Sequence, residues 1–150
     1  MQAFDATSGA LLWSVSLYKS SETYAFSAPP TAANGLVYTS GSGIGSPAGK
    51  LFAMRASDGS IAWTQPVAHG DMSTPALSAT SVFVSYSCGV VYAFDRTSGQ
   101  PRWHNDGPCT GGGGKMPAYH DGKVYARDFT AGNEIIDAET VRPKEPSRQR

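Results

Sequence analysis

Charged side chains are few in this sequence and balanced in sign. The 150 residues carry twelve basic and twelve acidic side chains, so the formal net charge is zero. Such a surface generates no field that attracts nucleic acid or an anionic membrane. No apolar run approaches the ~20 residues that a bilayer-spanning helix needs, and the sequence opens on repeated residues without a charged or hydrophobic leader. We therefore expect no nucleic-acid partner, no transmembrane segment and no targeting signal within this chain.

Residues that carry catalysis or bind metals are also sparse. His69, His104 and His120 are too scattered for metal-ligand spacing, which favours ordinary loop or surface histidines. The sequence contains no G-x-S-x-G nucleophile elbow. No catalytic triad can be assigned from these residues.

Two glycine-rich stretches have the outline of nucleotide-binding loops, but the first lacks essential residues and the second lacks the helix that should follow it. Gly111 to Gly114 precedes Lys115, yet Cys109 stands where a phosphate loop needs its first glycine and Met116 stands where it needs Ser or Thr. The stretch from Gly43 to Ala48 leads into a predicted strand, so no helix N-terminus follows it to bind a pyrophosphate. We interpret both stretches as connections.

Glycine and proline, by contrast, are abundant, and a repeated motif lies between them. The motif reads A-F-D-A-T-S-G-A-L-L-W from Ala3, A-M-R-A-S-D-G-S-I-A-W from Ala53 and A-F-D-R-T-S-G-Q-P-R-W from Ala93, with a degraded copy, I-I-D-A-E-T-V-R-P, from Ile135. The copies start 50, 40 and 42 residues apart, which is typical of propellers and solenoids. Each copy predicts a strand, a tight turn ending in glycine and a second strand.

Short runs rich in β-branched and aromatic residues predict further strands in each unit. The clearest unit has strands at Thr74 to Ala79, Ser81 to Ser87, Val90 to Arg96 and Gln100 to His104; the others lie within Pro30 to Thr39, at Lys50 to Arg55 after a loop from Ser40 to Gly49, and at Met116 to Tyr119, Lys123 to Arg127 and Glu134 to Ala138. Four short antiparallel strands in ~40 residues make one propeller blade. The sequence therefore predicts an all-β fold with two whole and two partial propeller blades in an incomplete ring.

The pattern A-F-D-x-x-x-G-x-x-x-W, preceded by P-x-x-x-x-x-x-V-Y, resembles the repeat of pyrroloquinoline quinone (PQQ)-like β-propellers over roughly residues 1 to 143. In that family the tryptophan docks onto the glycine-containing turn of a neighbouring blade, a position suited to a large ring with one N–H donor. The resemblance implies that three tryptophans and three turn glycines link the blades: Trp13, Trp63, Trp103, Gly9, Gly59 and Gly99.

The sequence departs from the family pattern at three places. Arg55 replaces the usual aspartate in the second copy, Val141 replaces glycine in the fourth, and no fourth tryptophan follows. These departures predict that the fourth copy is a damaged edge of the array.

The number of blades raises the question of how the ring closes. A propeller needs about 4 to 8 blades, so the chain is either a piece of a longer polypeptide or one of several copies that assemble around an axis. The lack of any capping strand favours the first arrangement. We expect residues 1–143 to form a partial propeller and residues 144–150, which have no apolar side chain to bury, to form a disordered tail.

Cys88 and Cys109 are the only cysteines and flank the third and fourth predicted strands of the clearest unit. Strands that fold back on a turn bring their outer ends together, so a disulfide across this loop is geometrically reasonable and would stabilise by ~3 kcal/mol; two unrelated thiols are the alternative. The C-T-G-G-G-G-K segment resembles loops in secreted bacterial members of the repeat family. A disulfide and this resemblance both indicate a secreted or periplasmic protein.

Two functions are compatible with these features. The first is a non-enzymatic, extracytoplasmic scaffold that binds a protein partner and needs no cofactor, by analogy with a binding lipoprotein of the outer-membrane barrel-assembly machinery. The second is part of a PQQ- and calcium-dependent dehydrogenase that oxidises alcohols or sugars. Asn105, Asp106 and Asp121 are the oxygen-bearing loop residues available for calcium, and the adjacent cysteine pair of quinoprotein alcohol dehydrogenases is missing. We predict no catalytic, cofactor or metal residue and favour the scaffold.

Overall fold

The structure, a computed structural model, describes residues 1–17, 24–43, 48–68, 73–86, 90–106, 116–128 and 132–140. Within these ranges the chain is built from short β-strands. The strands are β1 Gln2–Phe4, β2 Leu11–Ser14, β3 Tyr24–Ala25, β4 Thr31–Ala33, β5 Leu36–Gly43, β6 Ala48–Arg55, β7 Ile61–Ala68, β8 Ala76–Leu77, β9 Ser81–Tyr86, β10 Val90–Asp95, β11 Pro101–Asn105, β12 Ala118–His120, β13 Lys123–Asp128 and β14 Gly132–Asp137. None of these ranges contains a helix with the length and apolar character needed to cross a bilayer.

The strands form four antiparallel sheets that follow one another along the chain. Sheet 1 contains β1 and β2, sheet 2 runs β3-β5-β6-β7 with β4 also paired to β5, sheet 3 runs β8-β9-β10-β11, and sheet 4 runs β12-β13-β14. Apart from β3, which pairs with β5 and not with β4, neighbouring strands are consecutive in sequence, as expected when tight turns connect antiparallel strands. The predicted all-β fold of propeller blades in an open ring is confirmed.

Each repeated motif forms a hairpin closed by its glycine. The N–H groups of Gly9, Gly59 and Gly99 donate to the carbonyl oxygens four residues earlier at 2.8, 2.9 and 2.9 Å. Their φ angles are +70°, +74° and +76°, a region in which a Cβ is disfavoured. The antiparallel register also shifts at the same motif position in all three copies. The motif therefore specifies one local geometry three times.

The hydrophobic core lies between the sheets. One cluster joins sheets 2 and 3, and a second joins sheets 3 and 4; their buried members are Tyr38, Leu51, Ala53, Val67, Val82, Val84 and Phe94 in the first, and Phe83, Val91, Ala93, Val124, Ala126, Ile136 and Ala138 in the second. Along β9 and β10 the side chains alternate between the two clusters, because successive residues of a strand point to opposite faces. Sheet 3 is therefore buried on both faces.

Two sequence predictions of strand bounds are wrong. The predicted loop from Ser40 to Gly49 is largely strand, because Gly41 pairs with Lys50 and Ser42 with Gly49. The low β-propensity of S-G-S-G concealed this extension. At Gly41 an added Cβ would lie 2.7 Å from the Phe26 ring, so a glycine here lets Phe26 cover the strand.

The first strand of the clearest unit is also shorter than predicted. Thr74 to Ala79 was expected, but only Ala76–Leu77 is paired. The neighbouring residues bond differently: the hydroxyl of Thr31 in sheet 2 donates to the Pro75 carbonyl at 2.7 Å, and the Ser78 carbonyl accepts from Arg96 at 2.8 Å. Side chains thus satisfy backbone groups that a longer ladder would otherwise use.

Candidate functional site

The most regular polar feature of the molecule is a series of tryptophan contacts between consecutive sheets. The indole Nε1–H of Trp13 donates to the Ala56 carbonyl at 2.8 Å, that of Trp63 to the Arg96 carbonyl at 3.2 Å, and that of Trp103 to the Ala138 carbonyl at 2.9 Å. All three acceptors occupy one motif position, directly after the aspartate or its replacement. We call each of these contacts a joint. The acceptor is a backbone carbonyl, so the joint needs no particular side chain there.

The turn glycines lie beneath the tryptophan rings in two of these joints. A Cβ added to Gly59 would lie 2.7 Å from Trp13 Cε3, and one added to Gly99 would lie 2.6 Å from Trp63 Cδ2. Real side chains do not approach this closely, so the rings pack at these distances because the residue below is glycine. Within the described residues, no atom lies within 4 Å of a Cβ added to Gly9. Among the predicted linking glycines, Gly59 and Gly99 therefore contact a tryptophan and Gly9 does not.

The fourth sheet is a partner in a joint although its motif is degraded. Trp103 reaches Ala138, and its ring lies 5.9 Å from the Phe83 ring, which also stacks with Tyr119 of sheet 4 at 5.6 Å. Ile136 is 1% exposed. The fourth copy is thus packed against sheet 3, and Val141, which replaces glycine, lies outside the described residues.

Tyr38 reinforces the joint between sheets 2 and 3 and was missed by the sequence analysis. Its hydroxyl donates to the same Arg96 carbonyl as Trp63, at 3.0 Å, and the carbonyl has two lone pairs to receive both donors. Burial raises the pKa of Tyr38. The signal was present in the V-Y pair after each proline, because Tyr38, Phe83 and Tyr125 occupy equivalent positions.

Hydroxyl groups make a second connection between sheets 2 and 3. The buried Ser40 Oγ donates to the Ser73 carbonyl at 2.7 Å, and the Ser73 Oγ accepts from the Ser85 N–H at 3.1 Å. This connection joins β5 and β9 through the segment before β8. Ser40 and Ser85 occupy equivalent positions, two residues after Tyr38 and Phe83, but Ser73 does not recur in the other units, so the repeat gave only part of the signal.

The repeated aspartates bind their own turns. Asp5 Oδ1 accepts from the N–H groups of Thr7 and Ser8 at 3.0 and 2.7 Å, and Asp95 Oδ1 accepts from the equivalent N–H groups of Thr97 and Ser98 at 3.0 and 2.8 Å. These bonds favour the charged carboxylate. The backbone bond from Ser8 lowers the pKa of Asp5, and that from Ser98, followed by Arg102, lowers the pKa of Asp95. The low pKa values thus have a structural cause.

The residues considered for calcium are not gathered into a set. Asp106 pairs with His104 at 3.1 Å with both side chains largely exposed, and Asn105 lies 3.5 Å from Glu134. Glu134 pairs with Ala126 toward one end of β13, whereas Asp121 precedes the other end. At ~3.3 Å per residue, Asp121 lies on the order of 15 Å from Ala126. No group of three or more His, Cys, Asp or Glu side chains converges within the described ranges. These residues do not fit a calcium and quinone site.

A small cleft lies between sheets 1 and 2. Its lining is Ser16, Leu17, Tyr24, Lys50, Phe52, Ile61 and Thr64, and its volume is about 80 Å³. The Lys50 ammonium lies 5.2 Å from the centre of the Tyr24 ring, within cation–π range. Ligand pockets usually enclose about 300–1,000 Å³. This cleft is therefore too small for an organic cofactor.

Several sequence predictions fall on residues that the structure does not describe. These are Cys88 and Cys109 with their disulfide, His69, the glycine run with Lys115, and the tail at 144–150. They remain predictions.

Comparison with known families identifies the repeat. A family model, PQQ_2, described as outer membrane protein assembly factor BamB, matches residues 1–148. The chain belongs to this PQQ_2 family. Membership confirms the resemblance on which the sequence analysis relied, since the match extends over all four sheets.

Solved structures similar to this PQQ_2 protein share its fold. BamB from Moraxella catarrhalis has a TM-score of 0.74 and 23% identity, with 95% of this chain and 44% of that chain covered. Quinohemoprotein alcohol dehydrogenases are also similar. The Pseudomonas putida HK5 enzyme has a TM-score of 0.68 and 22% identity, with 89% of this chain and 22% of that chain covered. The Comamonas testosteroni enzyme has a TM-score of 0.66 and 23% identity, with 83% of this chain and 21% of that chain covered. No curated protein matches the chain. The PQQ_2 chain thus spans less than half the length of each of these relatives.

Proposed function

We propose that this PQQ_2 protein is a non-enzymatic scaffold that binds a protein partner outside the cytoplasm. The observation that carries the proposal is the use of the repeated motif: its aspartates bind turn N–H groups, and its tryptophans bind carbonyls of the next sheet. The polar residues that recur are therefore committed to structure. Membership of a family described as an outer membrane protein assembly factor supports a binding role and a location outside the cytoplasm.

The alternative is part of a PQQ- and calcium-dependent dehydrogenase. The fold similarity to quinohemoprotein alcohol dehydrogenases favours it, but fold alone is compatible with many functions. The separation of Asp121 from Asn105 weighs against it, because a quinone and calcium need ligands at one end of a ring. We therefore prefer the scaffold.

A titration of PQQ with Ca²⁺ into the folded chain separates the two functions. The scaffold predicts no saturable heat of binding at micromolar protein and no dye-linked oxidation of primary alcohols. Saturable micromolar binding of PQQ that requires Ca²⁺ would overturn the scaffold. A quinohemoprotein dehydrogenase assayed in parallel verifies the reagents.

Co-purification from the periplasm gives a positive test of the scaffold. The chain, exported to the periplasm of a Gram-negative host, should co-purify with components that assemble outer-membrane proteins. Trp103→Ala, which removes the joint between sheets 3 and 4, serves as the matched variant and should recover less of these components. Equal recovery with both chains, or none with either, would contradict a specific folded binding surface.

A further inference from the structure

Each joint contains a third member, the turn that precedes β5, β9 or β13. A carbonyl in this turn accepts a hydrogen bond from the N–H of the residue whose own carbonyl receives the tryptophan. The pairs are Ala56 to Gly35 at 2.8 Å, Arg96 to Thr80 at 2.9 Å and Ala138 to Gly122 at 2.9 Å. We call each of these turns a tip. The tip therefore holds in place the backbone residue that accepts the indole N–H.

The tip of sheet 2 is the dipeptide Asn34-Gly35. Ala33 pairs directly with Leu36, so these two residues form the whole turn, with φ angles of +50° and +75°. Both residues are exposed. Within the described residues the Gly35 N–H makes no backbone hydrogen bond, and a Cβ added to Gly35 would meet no atom within 4 Å. The amide nitrogen that follows the Asn34 side chain is therefore accessible to react with it.

The other two asparagines of the chain lack this arrangement. Asn105 pairs with Val91 in β11, and Asn133 pairs with Arg127 in β14, so both are held in extended strands. Neither is followed by glycine. A side chain on the following residue crowds its backbone nitrogen, whereas glycine leaves the nitrogen open and the backbone free to rotate. Asn34 is therefore the asparagine whose side chain is attacked most readily.

We propose that Asn34 is a site of spontaneous deamidation and that the reaction loosens the joint between sheets 1 and 2. The Gly35 nitrogen forms a bond to Asn34 Cγ, the Cγ–Nδ2 bond breaks, and ammonia leaves with the proton of the Gly35 N–H. Solvent water then adds to one of the two carbonyl carbons of the five-membered imide and breaks its bond to nitrogen. Opening at Cγ leaves aspartate, and opening at the main-chain carbonyl carbon leaves isoaspartate.

The conformation of the tip controls the rate of this reaction. A left-handed residue has a ψ of about +47°, which places the Asn34 Cβ and the Gly35 nitrogen on opposite sides of the Cα–C bond. The imide ring needs both on the same side, so Asn34 must leave the left-handed turn before the ring closes. The hydrogen bond between the Gly35 carbonyl and the Ala56 N–H opposes that movement. Deamidation therefore depends on how often the tip opens.

Isoaspartate changes the tip more than aspartate does. It adds Cβ to the main chain, so the turn between Ala33 and Leu36 becomes one atom longer. A two-residue turn fits the twist of its strands only at particular dihedral angles, so the Gly35 carbonyl moves away from the Ala56 N–H. Ala56 also provides the carbonyl that accepts from Trp13 at 2.8 Å. Aspartate adds the same negative charge but leaves the length of the turn unchanged.

Peptide mapping of the full chain by mass spectrometry tests the site. During incubation at neutral and mildly alkaline pH, Asn34 should gain the mass of an NH2-to-OH replacement before Asn105 or Asn133 does. The reaction should be faster at the higher pH, because the attacking nitrogen must lose its proton. Labelling with an isoaspartate-specific methyltransferase identifies the product. Deamidation of Asn105 or Asn133 before Asn34 would overturn the proposal.

Two tryptophan variants test the coupling between the tip and the joint. If opening of the tip weakens the joint, loss of the joint must favour opening of the tip by the same free energy. Trp13→Phe removes the donor to Ala56 and should accelerate deamidation of Asn34. Trp63→Phe removes the equivalent donor of the next joint and is the matched control, with an unchanged rate expected. Equal rates in Trp13→Phe and wild type would contradict the coupling.

Hydrogen exchange tests the effect of the product. In the purified isoaspartate form the Ala56 amide should exchange about tenfold faster than in wild type, as expected for the loss of one backbone hydrogen bond. Asn34→Asp carries the charge without the extra main-chain atom and should retain wild-type exchange at Ala56. Unchanged exchange in the isoaspartate form, or equal acceleration in Asn34→Asp, would overturn the proposed effect on the joint.

Discussion

At the scale of single residues, the charge on Asp95 stabilises the folded turn. Its carboxylate accepts two turn N–H groups and contacts Arg102 at 2.8 Å. The lowered pKa means that protonation is harder in the folded state, so this contribution is present above the ordinary pKa of 3.8 and is lost as the pH falls below it. The stability of the turn is therefore sensitive to acid.

Asp95→Asn keeps an oxygen acceptor for the turn but removes the charge. At pH 7 the variant should be less stable than wild type, by no more than about 1 kcal/mol because the Arg102 pair is partly exposed. The difference should shrink between about pH 5 and about pH 2, as wild type loses its charge too. Urea unfolding at several pH values measures this. Parallel stability curves across that range would contradict the assignment.

Glycine at position 99 is required twice, once for backbone conformation and once for the Trp63 ring. Gly99→Ala should cost about 1–2 kcal/mol for its positive φ and about 1–3 kcal/mol more for overpacking against the ring. Gly35→Ala is the matched control, because Gly35 has a φ of +75° and a Cβ added there would meet no atom of the described residues within 4 Å. It should incur only the first cost. If Gly99→Ala and Gly35→Ala lowered the free energy of unfolding equally, the Trp63 ring would be able to move aside without strain.

At the scale of the structural element, a tryptophan joint combines ring packing with one hydrogen bond. Trp103→Ala should destabilise by about 3 kcal/mol because it removes a ring packed between sheets 3 and 4. Trp103→Phe keeps an aromatic ring and loses the bond to Ala138, and should cost about 1 kcal/mol. Urea unfolding of both variants checks this. A loss below about 1 kcal/mol for alanine would mean that the joint contributes little.

The hairpins were predictable from sequence because their signals are local and repeated. Asn34-Gly35 and Asp121-Gly122 form the expected turns, with positive φ at all four residues, and the motif copies share one geometry. The Ser40–Ser73 connection and the length of β5 were not predictable, because both depend on partners distant in sequence. Arg96 illustrates the limit: its carbonyl accepts two side chains, and nothing about an arginine indicates that.

At the scale of the whole molecule, burial is uneven along the array. Sheet 3 is covered on both faces and contributes to both core clusters, whereas sheet 1 has two strands and exposes Phe4, Leu11 and Leu12 by 54% or more. In stacked arrays stability depends on contacts between neighbours. Sheet 1 should therefore open most readily.

Amide hydrogen exchange tests this gradient. The amides that pair β1 with β2 should exchange at least about a hundredfold faster than those that pair β9 with β10, a difference equivalent to about 2.7 kcal/mol in opening free energy. Exchange resolved by NMR provides the comparison. Equal protection in the two sheets would mean that the array opens as a single cooperative unit.

The backbone acceptor of the joints has a consequence for descent and recombination. Every residue type has a backbone carbonyl, so there is little selection on the side chain at the acceptor position. Alanine and arginine both occupy that position in this chain. Copies produced by gene duplication can thus change in sequence at their exposed turns and still accept the hydrogen bond from the tryptophan of the preceding sheet. Units of such a gene should be exchangeable between paralogues, with the tryptophan and the glycine beneath it as the principal residues to preserve.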